Sequence, residues 1–458
     1  MLHALEAFFV AQVKKLRNNL KEYALEIPFL FIVWSYFFIF WLPSHGDAVA
    51  LMSPVLAICA PFVLFYLLYV LTAEARWEYV YTRKTAATEF CVLEIKLPEN
   101  IEQTPYAMEL VLRGIYQTGT GVTAAHNWLY GETPPSFSLE IASDEGRVHF
   151  YMWMRKRYKP FVESQIYAHY PTVQVVEVPD YTLKVPFDPA VMTMAGIELA
   201  LQKPDPYPIV TYVELGLDKP RRPEEHVHDP LASVLEFLGS LGEGEYAWIQ
   251  FIIRAHDKGF PCASSDAPIS PKTHQAVDIE EWAKIEVQRI NDSAKTKGPD
   301  GKEFMDFMKL TSVDRDMQKA IQLKLNKQLF EVGARTMYLA YKGKSKVPAL
   351  TGLASIFRSF EHGSSGRGLN GLRPVFWIGP FNVPWHDFMN IRRHMLWERY
   401  YDAYITRQYF YSPHKHPHIV LNSEELATLF HFPGQSVHTP TLQRLPSKRG
   451  EAPSNLPI

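Results

Sequence analysis

Two long apolar runs dominate the N-terminal part of the chain. They are Ile27–Leu42 and Ala48–Thr72, and neither contains a charged side chain. A helix needs roughly 17 to 25 apolar residues to cross a bilayer, so the second run is long enough and the first is at the short end of that range. This pattern predicts a two-helix transmembrane hairpin over residues 27–75, with a buried core hairpin as the alternative.

Lysine and arginine residues lie on both outer sides of this hairpin and are absent from the loop between its helices. These residues are enriched on the cytoplasmic side of membrane proteins. Their distribution therefore predicts a protein of the bacterial inner membrane with both termini cytoplasmic. Residues 1–26 carry apolar side chains at helical spacing with basic residues opposite, which predicts an amphipathic helix on the membrane surface or, alternatively, a helix packed on a partner.

Residues 88–186 alternate between strand and helix patterns. Strand patterns occur at 89–98, 136–143, 147–155 and 173–180, and helical patterns at 104–117 and 159–171. Their order is βαββαβ. This order predicts a ferredoxin-like domain and therefore an α+β fold class.

Residues 187–380 show a similar but longer pattern. Two helical segments, about 278–294 and 302–328, interrupt the strands after a polar loop. We predict a second α+β domain with a helical insertion. Residues 381–434 are predicted as a C-terminal helical segment, and residues 435–458 as an extended tail or connector.

The stretch "NSEELATLFHFPG" at 422–434 has the pattern of a short capped helix. Asn422 or Ser423 can cap its first turn, and Pro433-Gly434 stops it. The apolar residues of this stretch are candidates for contact with a partner: Leu426, Leu429, Phe430 and Phe432. The alternative is that the helix packs on its own domain.

The charge balance gives no general support for nucleic-acid binding. The chain has 47 Lys and Arg residues against 49 Asp and Glu residues, for a net charge of −2. Two local clusters are nevertheless candidates for non-specific phosphate contacts: Arg155, Lys156, Arg157, Arg392 and Arg393. The alternative is that these charges are simply solvated.

Motifs for nucleotide and metal sites are incomplete. The tripeptide Gly-Lys-Ser at 343–345 follows a predicted strand, but Tyr338 stands where a phosphate-binding loop needs glycine. The alternating histidines of 414–418 can ligate a metal, but no cysteine or close carboxylate set completes them, which favours a polar loop. We predict no enzyme activity and no catalytic, cofactor-binding or metal-binding residues.

Several segments in this order resemble one protein family. They are "LEIKLP…PYAMEL", "FSLEIAS…RVHFYMWMR…ESQIYAHYP", "DPLASVLEFLGSL…GEYAWIQFIIR", "KQLFEVGARTMYLAY" and "LNSEELATLFHFPG". Together they look like the membrane-anchored N-terminal region of bacterial type IV secretion-like, conjugative DNA-transfer proteins of the coupling type. In that family a motor ATPase of the FtsK or coupling-protein kind commonly follows this region.

The sequence departs from this family because it contains no Walker motif. The resemblance therefore implies a non-catalytic inner-membrane component of a DNA-transfer apparatus that anchors or recruits a separate motor ATPase. The partners it implies are the membrane, this ATPase, DNA bound non-specifically, and further copies of the chain in a homo-oligomer. The alternative function is a self-assembling membrane scaffold or adaptor unrelated to DNA.

Overall fold

The structure of the protein is a computed structural model. It describes single residues between 61 and 73 and the following ranges: 75–98, 101–117, 124–219, 229–257, 259–270, 275–293, 295–297, 303–305, 310–361, 369–378, 391–411, 414–434 and 444–445. The chain divides into two compact units. The first contains residues 1–88, 121–133 and 380–396, and the second contains residues 89–120, 134–379 and 397–458.

The secondary structure alternates between strands and helices. The strands are β1 Phe90–Pro98, β2 Ser136–Asp144, β3 Arg147–Arg155, β4 Gln174–Val178, β5 Met192–Leu201, β6 Glu245–Ala255, β7 Lys295–Lys297, β8 Glu303–Met305, β9 Leu329–Tyr341, β10 Leu372–Ile378, β11 Ile419–Asn422 and β12 Arg444–Leu445. The helices are α1 at 75–86, α2 Pro105–Ile115, α3 Ala124–Tyr130, α4 Lys159–His169, α5 Pro230–Gly239, α6 Ile279–Ser293, α7 Ser312–Leu325, α8 Val347–Ser355, α9 Ile391–Ile405 and α10 Ser423–Leu429.

In the first unit, helices α1 and α3 contact each other. The guanidinium of Arg76 lies 3.8 Å from the centre of the Trp128 ring and donates a 2.9 Å hydrogen bond to the Trp128 carbonyl. The indole nitrogen of Trp77 donates to the side-chain oxygen of Asn127 at 2.7 Å. Two aromatic residues of α1 and α3 are thus held by polar contacts as well as by packing.

The first half of the second unit consists of β1, α2, β2, β3, α4 and β4. Strand β1 lies between β3 and β4, β2 lies outside β3, and all these neighbours are antiparallel. The β2–β3 turn contains Glu145 and Gly146, whose φ angles are 53° and 88°. Positive φ at both positions is the type I′ geometry, which matches the natural twist of a hairpin.

The second half repeats this arrangement with β5, α5, β6, β9, α8 and β10. Its strand order is β10-β5-β9-β6, again antiparallel throughout. The connection from β6 to β9 is long and contains α6, α7 and the small hairpin of β7 and β8. This insertion therefore lengthens the connection between β6 and β9 without changing the order of the strands.

The two halves share one sheet, because β2 pairs with β6 in antiparallel register from Ser136↔Arg254 to Asp144↔Tyr246. The resulting order is β10-β5-β9-β6-β2-β3-β1, with β4 and β12 beside β1 and β11 beside β9. Equivalent strands of the two halves thus meet edge to edge.

The helices of both halves cover the same face of this sheet. Alternate strand residues point into a single apolar core, as the two-residue period of a strand requires. Core residues that are fully buried include Leu93, Leu139 and Phe251 from the sheet and Leu112, Leu235 and Leu426 from the helices. The sheet and helices therefore form a continuous core across both halves.

The C-terminal part of α9 and the residues that follow it lie on the opposite face of the sheet. A Cβ atom at Gly196 would lie 2.3 Å from the Tyr400 ring, and one at Gly333 would lie 2.4 Å from the Tyr409 ring. Glycine therefore leaves the space into which each ring packs. The Tyr400 hydroxyl reaches the carbonyls of Ile197 and Thr336, both at 3.0 Å.

Within the described residues, no helix is long and apolar enough to cross a membrane. This finding contradicts the predicted transmembrane hairpin and the predicted inner-membrane location, whereas the membrane as a partner stays a prediction. Residues 1–60 and much of the second apolar run lie outside the described part. An apolar run shows only that side chains avoid water, and run length does not specify what covers them.

The predicted fold class also needs correction within the second unit. The sequence predicted a ferredoxin-like domain followed by a separate α+β domain, but β2 and β6 join both regions into one largely antiparallel sheet. Strand pairing between distant segments depends on edges and register, which periodicity does not reveal. The fold is therefore α+β with one continuous sheet.

Replacing Gly196 or Gly333 by alanine is expected to lower the free energy of unfolding by about 1–3 kcal/mol, because the added methyl group overlaps a buried tyrosine ring. Chemical denaturation measures the change. Gly114→Ala in α2 is the control, because the added Cβ would meet the flexible side chain of Gln165 in α4. Alanine at this position favours the helix by up to about 1 kcal/mol. Equal effects at all three positions would contradict the packing described.

Candidate functional site

A row of polar side chains crosses the sheet on the face opposite the apolar core. In register, from β1 to β5, its members are Glu94, Tyr151, Glu140, Gln250, Arg335 and Glu198. We call this row the polar rung. One polar residue at matching register in each strand is enough to build it, because side chains alternate between faces. Its central members are buried, so each needs a partner.

Arg407, just after α9, supplies the charge partner at the centre of the polar rung. Its guanidinium donates to both oxygens of Glu140, at 3.0 and 3.1 Å, and to both oxygens of Asp180. The side chains of Arg407 and Glu140 are fully buried. Burial opposes the charged form, but the carboxylates of Glu140 and Asp180 outweigh it and raise the pKa of Arg407 well above its ordinary value.

Arg335 holds the C-terminal end of α9. Its guanidinium donates to the carbonyl of Ala403 at 2.8 Å and to that of Gln408 at 3.1 Å. The last carbonyls of a helix lack partners within the helix and carry partial negative charge, which a cation stabilises. Gln250 accepts from Arg335 at 2.6 Å and donates to Glu140 at 2.8 Å, so it links the two arginine sites.

A second ionic cluster surrounds Glu331 of β9. Its carboxylate accepts from Arg254 at 2.5 Å, from His256 at 3.1 Å and from His418 at 3.1 Å. Burial disfavours the ionised form, but the hydrogen bonds from the two histidines and the charge of Arg254 hold the pKa of Glu331 well below its usual range. His416 lies 3.0 Å from Glu198.

Two of the alternating histidines of 414–418 therefore connect their segment to the sheet: His416 contacts Glu198, and His418 contacts Glu331. The described residues contain no group of three or more side chains arranged to hold a metal ion. A second pair of alternating histidines, His226 and His228, lies outside the described residues.

The residues that close the domain, 419–434, contain β11 and α10, and we call them the closing segment. The side chain of Asn422 caps α10 by accepting from the amide of Glu425 at 2.8 Å, and Glu425 accepts from the amide of Asn422 at 2.8 Å. This is a reciprocal capping box. Glu425 also accepts from the amide of Ile209 and lies 3.1 Å from Lys324, with both of these ionic side chains fully buried.

Asp205 adds a further buried carboxyl group to this contact. It accepts from the amide of Val420 in β11 at 3.0 Å. Burial raises the pKa of Asp205 to about 7, against the opposing charge of Lys324. One lysine thus faces two buried carboxyl groups, Asp205 and Glu425, so one carboxyl group holds a proton near neutral pH.

Two more ionic contacts fix α10. Glu109 of α2 accepts from Lys327 at 2.9 Å and from the Ser423 hydroxyl at 3.1 Å. One nitrogen of the buried His431 ring lies 3.1 Å from the Asp229 carboxylate, and the other lies 3.0 Å from a carbonyl of α10. The closing segment is therefore bonded to both halves of the sheet domain.

The four candidate partner-contact residues are all in this segment and all buried: Leu426, Leu429, Phe430 and Phe432. The ring of Phe150 lies 5.8 Å from that of Phe430 and 5.7 Å from that of Phe432. The structure therefore places these side chains in the apolar core, which is the arrangement that the alternative interpretation of the sequence expects.

The five candidate nucleic-acid contacts are divided between the units: Arg155, Lys156 and Arg157 in the second, and Arg392 and Arg393 in the first. Lys156 lies 3.5 Å from Glu89, and Arg157 donates to the Tyr158 hydroxyl at 2.9 Å. The basic segment of the second unit thus already has an acidic neighbour. DNA contact at these residues stays a prediction.

The residues of the polar rung and their arginine partner were not among the sites predicted from the sequence. A signal for two of them was present, since Glu140 and Arg335 are charged residues inside the largely apolar strands "SFSLEIAS" and "FEVGARTMYLAY". No comparable signal marked Arg407. It follows a helix rich in charged and aromatic residues, and only the fold brings it to Glu140.

These features define an α+β protein in which two βαββαβ halves share a sheet and a buried ionic layer. Residues 78–444 match the family model described as a domain of unknown function, DUF8128. This match spans most of the chain, so the protein belongs to that family. No curated protein matches the chain. The resemblance to conjugative DNA-transfer proteins therefore stays a prediction.

Replacing Arg407 by methionine is expected to destabilise the fold by about 3–5 kcal/mol, because Glu140 is left buried without its cation. Urea denaturation of the purified chain measures the change. Arg157→Met is the matched control, since Arg157 is exposed and its contact is with Tyr158; its effect should stay within about 0.5 kcal/mol. A small effect at Arg407 would mean that the ionic contact adds little to the fold.

Replacing Asp205 by asparagine is expected to change how stability depends on pH. The folded chain holds a proton on Asp205 up to about pH 7, against an ordinary pKa of 3.8, so folding takes up a proton between these values. The contribution of Asp205 to stability therefore falls with rising pH in this window, at up to about 1.4 kcal/mol per pH unit. Asp205→Asn should lack this slope.

Melting temperatures at a series of pH values from 4 to about 8 test this expectation. The difference between variant and wild type should grow in favour of the variant up to neutral pH and then level off. Asp316→Asn serves as the control, because the Asp316 side chain is 73% exposed. Parallel curves for the wild type and Asp205→Asn would contradict the raised pKa of Asp205.

Proposed function

We propose that the chain is a non-catalytic adaptor of a type IV secretion-like DNA-transfer apparatus, which recruits a separate motor ATPase of the FtsK or coupling-protein kind. The observation that carries the proposal is the way in which the closing segment is held. Glu425, Lys324, Glu109 and His431 fix it in the core through buried polar contacts. A partner that binds beyond residue 434 would therefore contact a part of the chain that follows a segment fixed in the core.

An attachment of this kind suits the transmission of force from a bound motor to the sheet domain. Removing one partner of a buried ion pair costs about 3–5 kcal/mol, since a charge is then left unpaired. Several such pairs acting together resist the withdrawal of α10 from the core. The charged groups that hold the closing segment are paired with one another. Such pairing fits a role in holding a partner, which requires no chemical step.

The course of the chain after the closing segment supports the same role. Arg444 and Leu445 of β12 pair in parallel register with Leu97 and Pro98 at the end of β1. This pairing places residues 444–445 beside the end of β1 in the sheet domain. The order of segments that resembles conjugative coupling proteins is the independent support for a motor ATPase as the partner.

Deletion of residues 435–458 is expected to reduce recovery of the motor ATPase at least threefold in affinity purification, because it removes the tail together with its β12 pairing. The ATPase is identified by mass spectrometry of proteins that co-purify with the tagged chain from its native cell. The fold should persist, since the core residues of the closing segment remain.

Deletion of residues 446–458 is the matched variant, because it retains β12. Comparison of the two deletions distinguishes a contact made by residues 446–458 from a contact made by residues 435–445. Unchanged recovery in both deletions would place the contact elsewhere. If the full-length chain enriches only copies of itself and no ATPase, the adaptor role is wrong and a self-assembling scaffold is the function that remains.

A further inference from the structure

A pocket opens on the polar-rung face of the first half, where the strands meet the 3-10 turn at Tyr181–Lys184. Its walls are aromatic: Tyr151, Tyr181, Tyr246 and Trp248. Three further side chains that line it are polar: Asp144, His149 and Lys184. None of these groups takes part in the ionic contacts that hold the closing segment.

The hydroxyl of Tyr151 is a polar group of the pocket that is available to a ligand. Its residue is only 5% exposed, and its ring lies between those of His149 and Tyr181, with ring centres 5.9 and 4.6 Å away. Among the residues that the structure describes, its hydroxyl has no hydrogen-bond partner. Burial, and then the charge of Glu94, raises the pKa of Tyr151 far above its ordinary value, so the group is a neutral hydroxyl.

The carboxylates around this hydroxyl differ in what they already bind. Glu140 is paired with Arg407, and Glu94 accepts from His149 at 2.8 Å. Asp144 has only a distant contact with Arg147, at 3.9 Å, and its side chain is 40% exposed. Asp144 is therefore the carboxylate with capacity left for another cation.

We propose that this pocket binds a primary ammonium group, presented by a lysine side chain of a partner protein or by a free diamine. The Asp144 carboxylate and the Tyr151 hydroxyl accept hydrogen bonds from the ammonium. The aromatic walls exclude water from part of the site, which strengthens these contacts.

Lys184 decides the specificity of the pocket. It lines the site, and no ion pair occupies it within the described residues. Its positive charge repels a bound ammonium and competes with it for Asp144. An anion-binding pocket would depend on the same two residues with opposite signs, because Lys184 would then attract the ligand and Asp144 would repel it. The two ligand classes are therefore distinguishable by mutation.

Isothermal titration of the full chain with N-acetyl-lysine amide and with putrescine tests the proposal. Asp144→Asn should weaken binding about two- to fivefold, the range for a partly exposed charge contact, and Lys184→Ala should strengthen it by a similar factor. Tyr151→Phe should weaken binding without a change in the aromatic stack. The uncharged N-acetyl-norleucine amide and the anionic N-acetyl-glutamate amide are the control ligands.

Tighter binding of N-acetyl-lysine amide than of putrescine identifies a partner protein as the source, and the reverse order identifies a free diamine. Binding of the glutamate probe would overturn the proposal, as would tighter amine binding by Asp144→Asn together with weaker binding by Lys184→Ala, or binding of neither amine. Melting temperatures of the variants show whether each remains folded. These outcomes are independent of motor recruitment, since none of the residues that line the pocket belongs to the closing segment.

Discussion

The contact of Arg407 with Glu140 and Asp180 is the constraint on which the second unit depends. Glu140 belongs to β2, the strand at which the two halves meet, and Asp180 precedes the linker that leads from one half to the other. Arg407 comes from the end of the helix that covers this face. One guanidinium thus connects β2, the linker between the two halves and the end of helix α9. Because the side chains of Arg407 and Glu140 are fully buried, loss of either one leaves the other charge buried and unpaired.

The same principle recurs where the chain closes. Lys324 faces Glu425 and Asp205, which come from parts of the chain more than two hundred residues apart, and together they hold the closing segment in the core. Apolar packing by itself does not fix the register of a short helix such as α10. The capping box at Asn422 and the ionic contacts specify where it sits, while Phe430 and Phe432 supply the buried area.

Apolar periodicity located many individual elements correctly. The strand predicted at 147–155 is β3, Arg147–Arg155, and the helix predicted at about 278–294 is α6, Ile279–Ser293. The helix predicted at 302–328 is shorter in the structure, where α7 is Ser312–Leu325 and is preceded by β8. Local patterns identify such elements because one face of each must be apolar, but they leave the ends and the partners of an element unspecified.

The sequence by itself determined the alternation of strands and helices, the cap at Asn422 and the apolar character of the closing segment. Only the tertiary structure decided that β2 and β6 pair, that Leu426 and Phe430 point into the core, and that Arg407 meets Glu140 across 267 residues of chain. The reason is physical. Propensity and capping act within a few residues, whereas strand pairing and buried ion pairs depend on which distant segments are brought together when the common core forms.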